Sequence, residues 1–147
     1  MIAAVIDCSA LVELLSNGGA RATGWEGPLE DCMLAAPQLI EPELINAARR
    51  LVAHDNGYEK SAERLLYEYR QVQLTKFTHE NLSEFAWRVR DNITPYDAMY
   101  VGLAREFEIP LITSDKRLAA AAAKWCEVRL LDDVVQGRRF SYAPTEY

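Results

Sequence analysis

The stretch from Asn92 to Leu118 constrains the fold more than any other, because it predicts a helix, a buried strand and a second helix in direct succession. Thr94 fits the N-cap of the first helix and Pro95 its first position, where proline is preorganised and needs no hydrogen bond. Asp97 then occupies the third position, where an acid favours the positive end of the helix dipole. We expect this helix to end near Phe107.

Two apolar runs, each closely followed by an acid, predict strands that end at the same edge of a sheet. The run 109–113 lacks polar alternation, which predicts a strand buried on both faces, and Asp115 lies just beyond it. The run 2–6 has the same character and is followed by Asp7. Because the carboxyl ends of parallel strands share one edge, and ligands bind there, we expect Asp7 and Asp115 to face one crevice.

The rest of the chain alternates helical and strand patterns. Ser9 is expected to cap the first helix, Pro42 to occupy the first position of the second, and Thr78 to cap the fourth. Right-handed crossovers between such strands give a mostly parallel sheet covered on both faces, a three-layer α/β/α sandwich. We expect one domain over 1–147, with a core of about 1–131 and a polar tail over 132–147. The predicted helices cover 10–15, 41–57, 58–69, 78–91 and 118–124, the further strands cover 32–36, 72–77 and 127–131, and 20–30 form a loop or a short helix.

Four acids stand where such a fold brings chain segments together, two after strands and two in the first turns of helices: Asp7, Asp115, Glu43 and Asp97. Each has a local explanation as a turn residue, a helix cap or a first-turn acid. As a set facing one crevice, however, they would repel one another, which a fold tolerates mainly in order to bind a cation. Oxygen ligands of this kind suit Mg²⁺ or Mn²⁺. The residues alone leave both explanations open.

Other catalytic motifs are missing from the sequence. His54 and His79 are the only histidines and lack the His-Glu-x-x-His spacing, which argues against a histidine triad or a zinc site. Gly19 and Gly24 have the spacing of a P-loop, but Trp25 follows them where a P-loop has lysine. No Gly-x-Gly-x-x-Gly follows the first strand, which argues against a dinucleotide site.

Charge and cysteine content limit the remaining classes. The net charge of −6 argues against a general surface for polyanions, although it does not exclude a nuclease whose acids hold metal. No apolar run reaches the roughly 18 residues of a membrane span, and the N-terminus lacks a basic signal-peptide region, so we expect a cytoplasmic protein. Cys8, Cys32 and Cys126 are expected to be reduced, mostly buried thiols.

Four segments of the chain resemble, in order and spacing, the signature blocks of PIN-domain ribonucleases of the VapC toxin type. They read Val5-Ile6-Asp7-x-Ser9-Ala10-Leu11, then Pro37-x-Leu39-x-x-x-Glu43-x-x-Asn46-Ala47-x-Arg49-Arg50, then Tyr96-Asp97-Ala98-x-Tyr100-x-x-Leu103-Ala104, and then Leu111-x-Thr113-x-Asp115-x-x-Leu118. Together the four segments span nearly the whole chain.

The resemblance implies an α/β/α sandwich and a Mg²⁺- or Mn²⁺-dependent endoribonuclease, the toxin of a type II toxin–antitoxin pair. It also implies a homodimer and a cognate antitoxin that occludes the active site. In that family the metal site is formed by the acids that match Asp7, Glu43, Asp97 and Asp115, and is supported at the positions that match Ser9 and Thr113. Such a site hydrolyses RNA phosphodiesters with a metal-activated water and needs no side-chain nucleophile.

Two departures from the family pattern matter. Ala48 stands where leucine is common, and Glu41-Pro42 precedes Glu43 where an Asp-Leu pair is common. Glu41 thereby becomes a rival to Glu43. With Pro42 at the first helical position, we expect Glu43 inside the first turn and Glu41 outside it, so that Glu43 is the site acid.

Basic and aromatic side chains near the acids are candidates for RNA contacts, and each also has a structural explanation. Tyr96 and Tyr100 either stack on a base or belong to the core, and the tail residues Arg138 and Arg139 are further candidates. The candidate phosphate contacts, which are otherwise solvated helix charges, are Arg49, Arg50, Lys116 and Arg117.

Two other classes of function stay open. A haloacid-dehalogenase-like phosphohydrolase also places an aspartate after its first strand, but such enzymes have Asp-x-Asp there, whereas this chain has Asp7-x-Ser9. A non-catalytic PIN-like binding module on the same fold is the second alternative. The retained acids argue against it, and a metal titration separates it from a nuclease.

Overall fold

The computed structural model describes residues 1–16, 29, 32–54 and 59–136. The strands in this part of the chain are β1 (Ile2–Ile6), β2 (Met33–Pro37), β3 (Leu74–Phe77), β4 (Leu111–Thr113) and β5 (Val128–Leu130). The helices are α1 (Cys8–Ser16), α2 (Ile40–His54), α3 (Glu59–Gln71), α4 (Ser83–Arg88), α5 (Pro95–Phe107), α6 (Lys116–Ala122) and α7 (Leu131–Val135). None of these helices combines the length and the apolar character needed to cross a membrane.

The described strands form one five-stranded sheet in the order β3-β2-β1-β4-β5, and every neighbouring pair is parallel. Parallel pairs need crossover connections, and right-handed crossovers place α1–α3 on one face and α4–α6 on the other. α1, α2 and α3 contact one another, while α4 packs on α5, which contacts β1, β2 and β4. The α/β/α sandwich predicted from the sequence is therefore confirmed.

The centre of the sheet positions the site. β1 lies between β2 and β4, with Val5 opposite Leu111 and Ile6 opposite Ile112, and these residues have no exposed surface. From β1 the chain moves outward to β2 and β3, and then returns to the other side of β1 at β4. The carboxyl ends of β1 and β4 therefore flank a topological switch point, which is where open α/β sheets bind ligands.

Local capping explains the bounds of α5. Its first residue is Pro95, and Thr94 Oγ1 accepts a hydrogen bond from the Asp97 N–H at 3.3 Å, so the predicted N-cap is confirmed. The helix ends at Phe107, as predicted, because Glu108 turns the backbone into the left-handed region with a φ of 55°. The Glu108 N–H still reaches carbonyl oxygens of the last turn, which satisfies part of the helix end.

The start of α1 corrects a prediction. The helix begins at Cys8, and Asp7 Oδ1 accepts a hydrogen bond from the Ala10 N–H at 2.9 Å. Asp7 is therefore the N-cap, and the expectation that Ser9 caps this helix was wrong. A carboxylate placed directly after the strand reaches the N–H three residues on, while the Ser9 hydroxyl donates to the same oxygen.

The start of α2 corrects a second prediction. The helix begins at Ile40, so Pro42 is its third residue and not its first. Proline is tolerated there because the first N–H groups of a helix have no intrahelical partner. Glu41 and Glu43 both lie in the first turn, so the argument that Glu41 falls outside it was wrong. Helix register alone does not separate these two acids.

The ends of the chain's other elements also differ from expectation. α4 covers Ser83–Arg88 and not 78–91, because hydrogen-bonded turns flank it, and α6 begins before Leu118 because Asp115 caps it. α7 occupies part of the predicted polar tail, since Leu131 and Val134 are buried one turn apart. Apart from residue 29, the predicted loop over 20–30 lies outside the described residues, as does the tail beyond 136. The remaining strand bounds differ from prediction by a residue or two.

Candidate active site

Asp7 is a buried carboxylate held by hydrogen bonds at the switch point. Oδ1 accepts from the Ser9 hydroxyl at 2.7 Å and from the Ala10 N–H at 2.9 Å, and Oδ2 accepts from the Thr113 hydroxyl. A carboxylate has about four lone-pair sites, so these three bonds leave roughly one site for another ligand. The position of Asp7 is therefore fixed before any ligand arrives.

The hydroxyls of Ser9 and Thr113 join the two turns that flank the switch point. Their oxygens lie 3.3 Å apart. The Ser114 N–H donates to Ser9 Oγ at 3.1 Å, and the Asp115 N–H donates to Thr113 Oγ1 at 3.0 Å. Both hydroxyls thus contact the β1–α1 turn and the β4–α6 turn at once, at the positions for which the family resemblance implied a supporting role.

Glu43 reaches the site from α2 and is bonded from the core side. The Tyr100 hydroxyl on α5 donates to Glu43 Oε1 at 3.3 Å, and Tyr100 is 1% exposed. Tyr100 is therefore a core residue with a polar end at the site, which excludes it from base stacking. Tyr96 is 65% exposed and stays available for such a contact.

Glu41 points to another part of the molecule. Its Oε1 accepts from Lys76 Nζ at 2.5 Å and from the Tyr69 hydroxyl at 3.1 Å, on the outer strand β3 and on α3. The Lys76 hydrogen bond is the main reason why the pKa of Glu41 is lowered. Glu41 and Glu43 thus differ in their hydrogen-bond partners, although both lie in the first turn of α2.

Asp97 and Asp115 both keep the local roles predicted for them. Asp97 is the half-buried third residue of α5, and Asp115 is the exposed N-cap of α6. Asp115 Oδ1 accepts from the Arg117 N–H at 2.9 Å and from the Leu118 N–H at 3.1 Å. These roles do not use all carboxylate oxygens, so they are compatible with a further function.

The pKa values show that the acids influence one another. Burial raises the pKa of Glu43 to about 7, and the negative charges of Asp97 and Asp7 add to this effect. Burial also raises the pKa of Asp7, with a smaller contribution from Asp97. The pKa of Asp97 is raised by burial first and by Asp115 second. In the described part of the chain, none of the ion pairs includes any of these four acids.

The four carboxylates have the chemistry that a hard divalent cation requires, although their side chains are not arranged as a complete set of metal ligands. Within residues 1–16, 29, 32–54 and 59–136, no three His, Cys, Asp or Glu side chains are grouped closely enough to hold a metal ion. Carboxylate oxygens that repel one another and lack basic partners are the ligands that Mg²⁺ and Mn²⁺ prefer. Burial is the main cause of the raised pKa values of Asp7, Glu43 and Asp97, and repulsion between the acids adds to it; a bound cation would offset both.

Two hollows adjoin the acids and separate the basic candidates into two groups. The first has a volume of about 560 Å³ and is lined by Cys8, Ser9, Glu43, Asn46, Arg50 and Tyr96, among others. The second has a volume of about 460 Å³ and is lined by Asn92, Thr94, Asp97, Asp115 and Arg117, among others. Arg50 and Arg117 each line a hollow, whereas Arg49 and Lys116 are exposed and line neither. Arg138 and Arg139 lie outside the described residues.

For three residues at the site, the sequence analysis did not predict the position that the structure gives them. The bond from Tyr100 to Glu43 joins distant helices and has no local signal. Asn46 follows Glu43 by three residues, so it lies on the same side of α2, and this helical spacing was the signal that could have identified it. Burial raises the pKa of Cys8 to about 12, with Glu43 contributing, so its thiol stays protonated and is not a nucleophile.

The fold and the site together define a class, a parallel three-layer α/β/α domain with a carboxylate site at its switch point. The family model of the PIN domain matches residues 4–124. This chain belongs to the PIN-domain family, and within it to the VapC group.

Curated relatives place it there. It is similar to "Ribonuclease VapC1" of Mycobacterium tuberculosis (strain H37Rv), with 38% identity over 128 residues, covering 86% of this chain and 96% of that protein. It is also similar to "Ribonuclease VapC9" of the same organism, with 31% identity, covering 86% of this chain and 97% of that protein.

Solved structures share the fold. PAE2754 from Pyrobaculum aerophilum matches with a TM-score of 0.71 and 20% identity, covering 92% of this chain and 88% of that chain. DNA-bound VapBC from Salmonella typhimurium matches with a TM-score of 0.63 and 15% identity, covering 89% of this chain and 99% of that chain.

Proposed function

We propose that the protein is a Mg²⁺- or Mn²⁺-dependent endoribonuclease and the toxin of a type II toxin–antitoxin pair. The observation that carries this proposal is the set of four acids at the switch point. Asp97 raises the pKa of Asp7, both raise that of Glu43, and Asp115 raises that of Asp97. None of the four is neutralised by an ion pair in the described part of the chain. The names of the VapC relatives, which are ribonucleases, support the choice of RNA as substrate.

Asp7, Glu43, Asp97 and Asp115 would hold the cation, with Ser9 and Thr113 fixing Asp7 through their hydroxyls. When bound, a divalent cation supplies an activated water and positive charge for a phosphodiester. Among the described residues, the thiol nearest to the acids is that of Cys8, and burial keeps it protonated, so it does not compete as a nucleophile.

Arg50 and Arg117 are the phosphate contacts that we select from the four candidates. Each lines a hollow that also contains one or two of the acids, and a guanidinium there would bind a phosphate next to the one that is cut. Tyr96 lines the first hollow with an exposed ring, so it is the aromatic side chain in position to stack on a base. RNA would then span both hollows with the acids between its contacts.

We also propose a cognate antitoxin and a homodimer as partners, and the cytoplasm as the place of action. The match to a structure named VapBC supports the antitoxin. Tyr67 on α3 and Trp87 on α4 are 60% and 70% exposed, so each of these two helices offers a large aromatic surface for the dimer contact.

The decisive experiment measures RNA cleavage by the purified, metal-stripped protein. We expect no cleavage in EDTA and recovery on addition of excess Mg²⁺ or Mn²⁺, because the site contains no other activated nucleophile. Full activity without metal would refute the mechanism. Metal binding without cleavage of any RNA tested would favour the non-catalytic binding module.

A further inference from the structure

The two glutamates in the first turn of α2 each accept a hydrogen bond from a different tyrosine. The Tyr100 hydroxyl lies 3.3 Å from Glu43 Oε1, and the Tyr69 hydroxyl lies 3.1 Å from Glu41 Oε1. The glutamates are two residues apart in sequence and therefore project in different directions from the helix. The structure thus contains a matched pair of contacts, one inside the site and one outside it.

Tyr100 holds its glutamate from the buried side. Tyr100 is 1% exposed, and its hydroxyl faces Glu43. Burial raises the pKa of Tyr100, so the hydroxyl keeps its proton and acts as a hydrogen-bond donor. The bond from Tyr100 is the one side-chain hydrogen bond that Glu43 makes within the described residues. It engages Oε1, so the second carboxylate oxygen of Glu43 keeps its lone pairs for another ligand.

Tyr69 holds its glutamate together with a lysine. Lys76 Nζ lies 2.5 Å from Glu41 Oε1, and it sits 5.7 Å from the centre of the Tyr69 ring. Glu41 is therefore already neutralised by a cation of the chain itself. The pair directs the Glu41 carboxylate toward α3 and β3 and not toward the site acids.

We propose that Tyr100 is a positioning residue that directs Glu43 into the acid site, while Tyr69 and Lys76 keep Glu41 out of it. The sequence places two rival acids on one helical turn. Tyr100 directs Glu43 to the site, and Lys76, with Tyr69 beside it, holds Glu41 elsewhere. This inference rests on the proposed function, in that it assigns Glu43 to a divalent cation. Residues that orient a metal ligand through a hydrogen bond change metal affinity or activity about 10- to 100-fold when they are replaced.

The test titrates Mn²⁺ alone into the full, metal-stripped chain and measures its dissociation constant. We expect Tyr100→Phe to weaken Mn²⁺ binding about tenfold, because it keeps the buried ring and removes only the hydroxyl. We expect Tyr69→Phe to leave Mn²⁺ binding unchanged, since Lys76 still holds Glu41. Melting in EDTA shows whether either variant has lost its fold.

A double-mutant cycle distinguishes positioning from a general structural effect. If Tyr100 acts through Glu43, Tyr100→Phe combined with Glu43→Gln binds Mn²⁺ as weakly as Glu43→Gln alone. The inference would be overturned if the two substitutions weakened Mn²⁺ binding independently, so that their effects on the dissociation constant multiplied in the double variant. It would also be overturned if Tyr100→Phe bound Mn²⁺ as tightly as wild type. If the wild-type protein itself binds no Mn²⁺, the proposed function fails and not merely the role of Tyr100.

Discussion

The Asp97→Asn substitution separates a helix acid from a metal ligand, because the two roles predict opposite changes in stability. Asp97 is the third residue of α5, and the Thr94 oxygen caps the helix by accepting from the Asp97 N–H. The Asp97 carboxylate also has a side-chain hydrogen bond with Thr94, which the asparagine oxygen can still accept, so the substitution keeps the cap and mainly removes the charge. If Asp97 serves only the helix dipole, its loss costs about 0.3–1 kcal/mol, with or without metal. For a chain of this size that corresponds to a melting temperature lower by roughly 1–4 °C.

If Asp97 is instead a metal ligand among the other acids, Asp97→Asn is expected to change the stability of the metal-free protein in the opposite direction. Burial, and to a smaller extent the charge of Asp115, raise the pKa of Asp97, so ionising Asp97 costs more free energy in the folded protein than in the unfolded chain. Asparagine removes that penalty, and we expect the metal-free variant to melt at the same temperature as wild type or higher. Wild type should gain about 2.7 kcal/mol at a Mg²⁺ concentration of 100 times the dissociation constant, or roughly 5–10 °C. The variant should lose most of that gain.

Thermal melts of both proteins in EDTA and in excess Mg²⁺ provide the measurement. Asp132→Asn is the matched control, because Asp132 is an exposed first-turn acid on α7 that lines neither of the two hollows. It should respond to Mg²⁺ as wild type does. A variant at Asp97 that is less stable in EDTA, yet gains as much from Mg²⁺ as wild type, would refute the reasoning and leave Asp97 as a helix acid only.

Three further predictions follow from the same geometry. Glu43→Gln should abolish metal-dependent RNA cleavage while Glu41→Gln keeps it, and the reverse result in the cleavage assay would reassign the site acid. Because the folded pKa of Glu43, about 7, lies above its ordinary value of 4.5, its stabilising contribution is present at low pH and lost as the pH rises through about 7. The melting temperature of the metal-free protein should therefore fall as the pH rises from 4.5 to about 7. An equally steep fall in the Glu43→Gln variant would show that Glu43 is not the cause. Light scattering should give twice the chain mass of 16.6 kDa, whereas a monomer at tens of micromolar would exclude the proposed dimer.

Some features were predictable from the sequence because their causes act within one turn of chain. The start of α5 follows from Thr94 and Pro95, and its cap bond spans three residues. The apolar runs that became β1 and β4 are identified by their lack of alternation, which reports burial on both faces. With the strands parallel, their carboxyl ends had to meet, so Asp7 and Asp115 could be assigned to one edge in advance.

The tertiary structure decided which atoms meet at that edge. The bond from Thr113 to Asp7 joins residues 106 apart, and the bond from Tyr100 to Glu43 joins residues 57 apart. Local propensity carries no information on such pairs, because they depend on how α2, α5 and the strands pack. The same holds for Glu41, which a lysine and a tyrosine of other elements draw away from the acids. The sequence thus determined which residue types are available to the site. Which of the neighbouring acids Glu41 and Glu43 lies at the site depends on contacts with side chains that are distant in sequence and meet only in the folded protein.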